Sequence, residues 1–186
     1  MLLLLADTNW CGRPIRKLLT TDTSSDVSAI LCLYSMINHT VYLGLGTNLG
    51  DKEQNISKAV SMIADRVGEV KRCSSLLISS PWGFESANEF LNSVVCVSTN
   101  LMPEALLDVT QQIEIEIGRT QKTIDGEYHD RIIDIDILLY DDVEFRTSRL
   151  VIPHPLMSER AFVMNPLKEI MSEAEYARVA ERLCKS

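Results

Sequence analysis

Two aspartates that lie two residues apart in an apolar run are the residues of this sequence best placed to do chemistry. Asp134 and Asp136 stand in RIIDIDILLYDD (131–142), whose isoleucines and leucines predict a buried strand. Side chains alternate between the two faces of a strand, so both carboxylates point to one face and the isoleucines between them to the other. Because two unpaired carboxylates buried side by side would force one to take up a proton, we expect a cationic partner.

A divalent cation would provide that partner. Mg²⁺ takes one or two carboxylates and leaves its other positions to water and phosphate oxygens, and two such ions suit phosphoryl-type transfer. The alternative is a solvent-facing sheet surface with two ordinary acids, because a bare DxD pattern is common. Arg131 at the entry to the same strand and Arg119 after the preceding predicted helix favour the metal, since guanidinium groups bind phosphate oxygens. Together these residues predict a nucleotide site.

The elements that must position these groups begin near residue 40. Hydrophobic periodicity predicts strands at 41–46, 70–78, 90–99 and 132–140, and helices at 52–66 and 103–117. A turn, a short helix and a C-terminal helix are then predicted at 151–155, 158–162 and 172–184. The order β-α-β-β-α-β predicts an α+β fold of ferredoxin-like type, an antiparallel sheet with helices on one face and extra C-terminal helices. This fold has many functions, so the site must decide the function.

Residues 1–39 differ from the rest of the chain. They contain the polar stretch TTDTSSD (20–26) and show no sustained strand or helix period. We therefore expect an atypical extension at 1–39, outside the working domain, and a single working domain at 40–186. The alternative is a packed pair of N-terminal helices.

Composition narrows the class of protein. The chain has 186 residues, 46% of them hydrophobic and 24% charged, with a net charge of -8, which is typical of a soluble globular protein and unfavourable for general nucleic-acid binding. Its five cysteines include no CxxC pair, so neither a zinc site nor a disulfide framework is indicated. No apolar run approaches the roughly 18 residues of a membrane span, and the opening MLLLLAD lacks the basic start of a secretory signal. We expect a cytoplasmic location and a monomer, with a dimer as the alternative.

From residue 41 to about 170 the sequence resembles the 6-hydroxymethyl-7,8-dihydropterin pyrophosphokinase family of folate biosynthesis. The matching segments, in the order of the family, are GLGTNLGD (44–51), SSPWG (79–83), EFLNSV (89–94), QIEIEIGR (112–119), DRIIDIDILLYDD (130–142) and VIPHPLMSERAFVMNPLKEI (151–170). The RxxDxDIL core and the PHPxxxxRxFVxxPLxEI segment are highly specific together. Residues 1–39 carry no part of the resemblance.

The resemblance implies that pyrophosphate passes from ATP to the hydroxymethyl group of the pterin, with release of AMP. It implies two Mg²⁺ ions held by Asp134 and Asp136, and catalytic roles for Arg119 and Arg131. The ATP contacts would fall on Gln111, Glu114, His154 and Arg160. The pterin pocket would be formed by Ser79, Ser80, Trp82, Phe90, Asn92 and Phe162.

The chemistry of these residues agrees with such roles, although each has a simpler interpretation. Asn92 can donate and accept hydrogen bonds, which suits the amide edge of a pterin, and the two phenylalanines could stack on its ring or belong to the core. His154, between two prolines, could be a structural turn residue. Glu114 is offset from the apolar face of its predicted helix, which favours a solvated acid. Asn48 is expected only to hydrogen-bond the backbone of its own GTNLG turn.

The match weakens in the loop between Arg119 and Arg131, which closes over the substrates in the family. Where many relatives carry a second arginine and a tryptophan, this chain has Gln121 and Tyr128, and the small residues that usually precede the later arginine are replaced by His129 and Asp130. The polar loop is typical of a mobile lid. The departures leave the closed geometry and the turnover rate open.

Two rival functions follow from the same residues. One is a binding module of the same fold that retains nucleotide or pterin binding without catalysis, which only the altered loop favours. The other is an acidic regulatory or interaction domain with accidental similarity, against which several matching segments in order argue. Release of AMP distinguishes the enzyme from both.

The proposed domain boundary is testable by truncation. Deleting residues 1–35 should leave AMP formation from ATP and the pterin unchanged within about twofold, because the working domain keeps its own core. Activity and circular dichroism of the truncated and full-length chains are compared. A truncated chain that is inactive or unfolded would contradict the boundary.

Overall fold

One antiparallel sheet carries the residues that the sequence selects for chemistry. The computed structural model describes residues 38–119 and 130–184. Within them the sheet consists of β1 (His39–Thr47), β2 (Gly68–Cys73), β3 (Leu77–Ser79), β4 (Phe90–Thr99) and β5 (Asp134–Tyr140). The strand order is β2-β4-β1-β5, and β3 pairs with β4 beyond the end of β2. A small second sheet pairs β6 (Phe145–Arg146) with β7 (Val151–Ile152).

The helices of the described ranges are α1 (Lys52–Arg66), α2 (Pro103–Ile117), α3 (Ala161–Ile170) and α4 (Glu173–Leu183), with one 3₁₀ turn at Met157–Glu159. The first two have the predicted bounds because their ends are encoded locally. The Asp51 side chain accepts the Gln54 N–H at 3.1 Å and caps α1, and Gly118, with φ 129°, ends α2. None of these helices is both long and apolar enough to cross a membrane.

The helices cover both faces of the sheet: the two main helices lie on one face, as the sequence predicts, and the C-terminal helices lie on the other. α1 and α2 pack together and against the sheet, over the face that holds Leu43 and Ile137. On the opposite face, α3 and α4 bury Tyr42 and Leu138 in a second apolar cluster. Asp134 and Asp136 share the face of Leu138, since they alternate with it along β5. The aspartates thus lie beside α3, where the helices leave the sheet uncovered.

Three predicted elements differ in the structure. The predicted strand at 70–78 is interrupted between β2 and β3, because Ser74 turns its hydroxyl onto the Val94 N–H at 2.9 Å. The prediction of a short helix at 158–162 is wrong. A 3₁₀ turn at Met157–Glu159 is followed by the longer α3, which contains Pro166. The strand predicted from 132 begins at Asp134, and the turn at 151–155 includes β7.

Two predictions fall largely outside the residues that the structure describes. The extension at 1–39 is described only from Asn38, and the altered loop is described only at its two ends. His39 already belongs to β1, where its Nδ1 lies 2.7 Å from Asp141 Oδ2 and its ring lies 4.8 Å from the Tyr140 ring. A truncation that spares this residue therefore preserves the start of the sheet.

Candidate active site

Glycines of β1 form the floor of the pocket. Gly46 pairs with Asn92 on one side and with Asp134 on the other, and Gly44 pairs with Asp136. Since glycine has no side chain, the groups on β4 and β5 face each other across open space. The resulting cavity has a volume of about 340 Å³.

The structure brings all the predicted site residues to this one cavity. They come from five places in the chain: the segment after β3, strand β4, the end of α2, strand β5 and the segment before α3. The lining includes Ser79, Ser80, Trp82, Phe90, Asn92, Gln111, Glu114, Arg119, Arg131, Asp134, Asp136, His154, Arg160 and Phe162. Their individual roles remain predictions.

Asp134 is held between two guanidinium groups. Arg119 Nη1 lies 2.6 Å from one carboxylate oxygen, and Arg131 Nη1 lies 2.7 Å from the other. All three side chains are mostly buried, with exposures of 15%, 11% and 21% for Arg119, Arg131 and Asp134. At Asp134 the expected cationic partner is present as two arginines, one from each end of the altered loop.

Glu114 completes this network from α2. Its Oε1 accepts the Ile135 N–H at 2.7 Å and a hydrogen bond from Arg119 Nη1 at 2.7 Å. Because β5 is the last strand in the sheet order, Ile135 offers that N–H at an open edge. Burial, followed by the nearby Asp134 charge, raises the pKa of Glu114 to about 8. The interpretation of Glu114 as a solvated acid is wrong, since only 6% of the residue is exposed.

Asp136 is the least compensated carboxylate of the site. The nearest cation is Arg160, whose Nη1 lies 3.7 Å from Asp136 Oδ2. Desolvation by the surrounding protein and then the Asp134 charge raise the pKa of Asp136 to about 7. Its side chain still opens onto the pocket and is 37% exposed, so a ligand can reach it.

The donor set fits a hard divalent cation that keeps most of its coordination for other oxygens. Asp134 and Asp136 supply carboxylate oxygens on one face of β5. In 38–119 and 130–184, no group of three or more His, Cys, Asp and Glu residues is arranged to hold a metal by itself. Mg²⁺ needs no such cage, because it binds proteins through one or two carboxylates and takes water and phosphate oxygens for the rest.

An aromatic region lies beside the charged region. The Arg160 guanidinium lies 4.6 Å from the centre of the Trp82 ring and 5.9 Å from that of Phe162. Across the pocket, Arg131 lies 5.8 Å from the centre of the Phe90 ring, against which Phe84 packs edge-on. The cations are thereby held against flat rings, in the geometry of cation–π pairs.

His154 is a neutral donor at the pH of the cell. Burial and then the Arg160 charge lower its pKa to about 4. Its Nδ1 accepts the Leu156 N–H at 3.3 Å, which leaves the proton on Nε2. The turn interpretation and the ligand interpretation are compatible, because one ring nitrogen holds the turn and the ring also lines the pocket.

Asn92 has less hydrogen-bonding capacity for a ligand than the sequence indicated. Its amide nitrogen donates to the Leu77 carbonyl at 3.1 Å and to Ser79 Oγ at 2.9 Å. Both partners fix the orientation of the amide, so Oδ1 is the atom that Asn92 turns toward the space above Gly46. Asn92 can therefore offer an acceptor but no donor.

The sequence analysis missed several contributors. Phe84 and Leu107 line the cavity, and neither stands in a recognisable pattern. Gly44 and Gly46 did carry a pattern, since two glycines on one face of a strand leave that face bare. Asn48 does not bond the backbone of its own turn as expected. Its Oδ1 instead accepts the Arg131 N–H at 2.7 Å.

Comparison with known proteins places this chain in a family. The family model described as 7,8-dihydro-6-hydroxymethylpterin-pyrophosphokinase (HPPK) matches residues 42–172. A 2-amino-4-hydroxy-6-hydroxymethyldihydropteridine pyrophosphokinase of Porphyromonas gingivalis is 47% identical over 131 residues, 70% of this chain and 89% of that protein. The enzyme of the same name from Bacillus subtilis is 40% identical over 140 residues, 75% and 82% of the two chains.

A likeness in fold accompanies the likeness in sequence. The structure of wild-type HPPK-DHPS from Plasmodium falciparum with SDX-DHP matches with a TM-score of 0.55 at 15% identity, over 80% of this chain and 46% of that one. The chain belongs to the HPPK family. It is accordingly an enzyme, a pyrophosphokinase of folate biosynthesis.

The incompletely compensated charge of Asp136 predicts a stability effect. Because the folded-state pKa of this acid is raised from 3.8 to about 7, its ionisation destabilises the fold progressively above pH 4 and fully above pH 7. In EDTA at pH 8, Asp136→Asn should raise the melting temperature by about 2–4 °C, a small gain because solvent screens this partly open group. The gain should vanish near pH 4.

Differential scanning fluorimetry from pH 4 to pH 8 measures this effect. Asp142→Asn is the matched control, since Asp142 lies outside the pocket with its side chain 90% exposed. Mg²⁺ should raise the melting temperature of the wild type but not that of Asp136→Asn. Equal melting temperatures for all three proteins at pH 8 would show that Asp136 carries no such penalty.

Proposed function

We propose that the chain transfers pyrophosphate from ATP to the hydroxymethyl group of 6-hydroxymethyl-7,8-dihydropterin in a Mg²⁺-dependent reaction. The substrate hydroxyl oxygen forms a bond to the β-phosphorus, the bond from that phosphorus to the α-phosphate oxygen breaks, and AMP leaves. The observation that carries the proposal is the single cavity that joins three arginines and two strand carboxylates to an aromatic region. Positioning and electrostatics account for most of phosphoryl-transfer catalysis, and this cavity offers both.

The charged half of the cavity is the proposed ATP site. Arg119 and Arg131 would contact the transferred phosphates, and Gln111, His154 and Arg160 would hold the rest of the nucleotide. Asp134 and Asp136 would hold two Mg²⁺ ions, which would neutralise phosphate charge. The same arginines neutralise Asp134 in the ligand-free chain. They are thus already desolvated and held in place before a phosphate arrives, which lowers the cost of ordering them.

Glu114 has a different proposed role from the one that the resemblance implied. Its carboxylate is engaged by the Ile135 N–H and by Arg119, so both interactions hold it at the wall of the cavity. We therefore assign it to holding Arg119 against β5, not to a contact with ATP. An outer partner of this kind orients the charged group that touches the substrate.

The aromatic half of the cavity is the proposed pterin site. Trp82, Phe90 and Phe162 offer ring faces of the size that a bicyclic heterocycle requires. Asn92 Oδ1 would accept a hydrogen bond from the N–H edge of the pterin, and Ser79 and Ser80 border the same region. The hydroxymethyl group would then point to the carboxylates and arginines.

The finer statements about the whole protein belong to the same proposal. The ferredoxin-like topology is supported by the order β2-β4-β1-β5 with antiparallel pairing throughout the main sheet of the described ranges. We keep the monomer, the cytoplasmic location and the mobile lid as predictions from the sequence.

The first test is the reaction itself. The wild type should form AMP and pterin pyrophosphate in equal amounts from ATP, 6-hydroxymethyl-7,8-dihydropterin and Mg²⁺. The Asp134→Asn, Asp136→Asn double variant should be at least about 100-fold slower than the wild type. Mutating residues that only support metal ligands can already lower metal affinity or activity by about this factor, and these two residues are the proposed ligands themselves. If the wild type binds ATP or the pterin without forming AMP, the chain is a binding module and the proposed reaction is wrong.

A second test separates catalysis from binding at Arg131. Arg131→Ala should lower kcat by about 10²–10³-fold, which is the usual effect of removing one group that stabilises charge in the transition state. It should weaken ATP binding by less than about tenfold. Single-turnover kinetics and calorimetric ATP titration provide the two numbers. Arg146→Ala, on the exposed end of β6, is the matched control and should behave as the wild type. An unchanged kcat would remove Arg131 from the catalytic set.

A further inference from the structure

Three segments at the mouth of the cavity meet at one carboxylate. Asp130 Oδ1 accepts a hydrogen bond from Asn48 Nδ2 at 2.6 Å, and Asp130 Oδ2 accepts one from Asn88 Nδ2 at 2.7 Å. The Ser86 side chain lies beside the same carboxylate. Asn48 belongs to the turn between β1 and α1, whereas Ser86 and Asn88 belong to the loop between β3 and β4. One side chain therefore links two loops to the segment that leads into β5.

The link continues into the backbone of Arg131. Asn48 Oδ1 accepts the Arg131 N–H at 2.7 Å, and the Asn48 N–H donates to the Arg131 carbonyl at 3.1 Å. Asn48 is only 3% exposed, so these bonds are shielded from water. The backbone of Arg131 is thereby held on the β1 side independently of Asp130.

The loop side of the link is held by other contacts as well, since Lys52 Nζ donates to the Glu89 carbonyl at 3.0 Å and Phe84 packs edge-on against Phe90. Asn88 bonds Asp130 through its side chain, and its backbone N–H donates to Ser86 Oγ at 3.1 Å. The same loop, residues 80–89, carries Trp82 and Phe84 into the wall of the cavity. A carboxylate from a different part of the chain thus adds to the contacts that hold the loop of these rings.

Charge strengthens this arrangement. Hydrogen bonds to an ionised carboxylate are shorter and stronger than those between neutral groups, which suits a contact near solvent. The Ser86 hydrogen bond, followed by those from Asn88 and Asn48, lowers the pKa of Asp130 below its usual range. The carboxylate is therefore ionised at neutral pH, and the Asn48 and Asn88 amides both keep their acceptor.

We propose that Asp130 is a positioning residue that clasps loop 80–89 and the β1–α1 turn to the base of Arg131, and so sets the aromatic wall of the pterin site before the substrate binds. Its catalytic consequence rests on the proposed function. Without the clasp, the free loop samples more conformations, and substrate binding must restrict them. The Arg131 backbone keeps its bonds to Asn48, so the chemical step is affected less than the binding of the pterin.

The variant Asp130→Asn tests the clasp with the least change in shape. It replaces one carboxylate oxygen with an NH₂ group, which turns donors toward the donors of its neighbours. The expected kinetic signature is a rise in the KM for the pterin of about tenfold with kcat changed less than about threefold, the pattern of lost binding without lost transition-state stabilisation. Asp142→Asn is the control, because its carboxylate lies outside these segments.

A measurement on the ligand-free protein tests the clasp without reference to activity. The chain has two tryptophans, Trp10 and Trp82, so a Trp10→Phe background leaves Trp82 as the sole tryptophan, which is excited selectively over the five tyrosines at the red edge of absorption. Acrylamide quenching of Trp82 should increase about twofold or more in Asp130→Asn, as expected for a locally loosened loop, and stay unchanged in the control. Circular dichroism verifies that each variant is folded, and Asn88→Ala provides the same test from the loop side if Asp130→Asn does not fold.

A double-mutant cycle identifies the partner. If Asp130 acts through Asn88, the variant carrying both Asp130→Asn and Asn88→Ala should show the quenching and the pterin KM of either single variant, not the product of their effects. Wild-type quenching and wild-type KM in Asp130→Asn and Asn88→Ala would overturn the clasp. Increased quenching in a chain whose wild type forms no AMP would instead uphold the clasp and reject the proposed function.

Discussion

The pairing of Asp134 with Arg119 and Arg131 is the interaction on which the rest of the site depends. Each carboxylate oxygen receives one guanidinium, at 2.6 and 2.7 Å. The two arginines stand at opposite ends of the segment between α2 and β5, so the ion pairs also close that segment at its base. Removing Asp134 would take a shared carboxylate from two mostly buried guanidinium groups, which is costly. The same acid therefore has a structural task and a proposed metal-binding task.

Part of the site could be predicted because local rules govern it. Strand alternation places Asp134 and Asp136 on one face, and the burial of Ile135 at 5% exposure confirms the opposite face as core. The bounds of α1 and α2 follow from residues at their own ends. Strand alternation and helix ends can be predicted without knowing which distant residues they contact.

The features that could not be predicted depend on contacts between distant segments. Glu114 is buried because the end of α2 meets the open edge of β5, and Asn48 turns to a segment more than eighty residues away. Ser74 breaks a strand by bonding its neighbour β4. In α3, packing of Val163 and Leu167 against the sheet outweighs the helix-breaking tendency of Pro166. In each case tertiary structure overrides a sound local tendency.

The orientation of the Asn92 amide has a consequence for the choice of inhibitors. Its nitrogen is committed to Leu77 and Ser79, and the residue is only 5% exposed, so the amide cannot turn over to suit a different ligand. A heterocycle that meets Oδ1 with a ring nitrogen lone pair or an N-alkyl group leaves a buried acceptor unsatisfied, and polar sites reject such analogues far more strongly than apolar ones do. If Asn92 meets the ligand as we propose for the pterin site, ring systems with an unsubstituted lactam N–H on that edge are the scaffolds that suit this pocket.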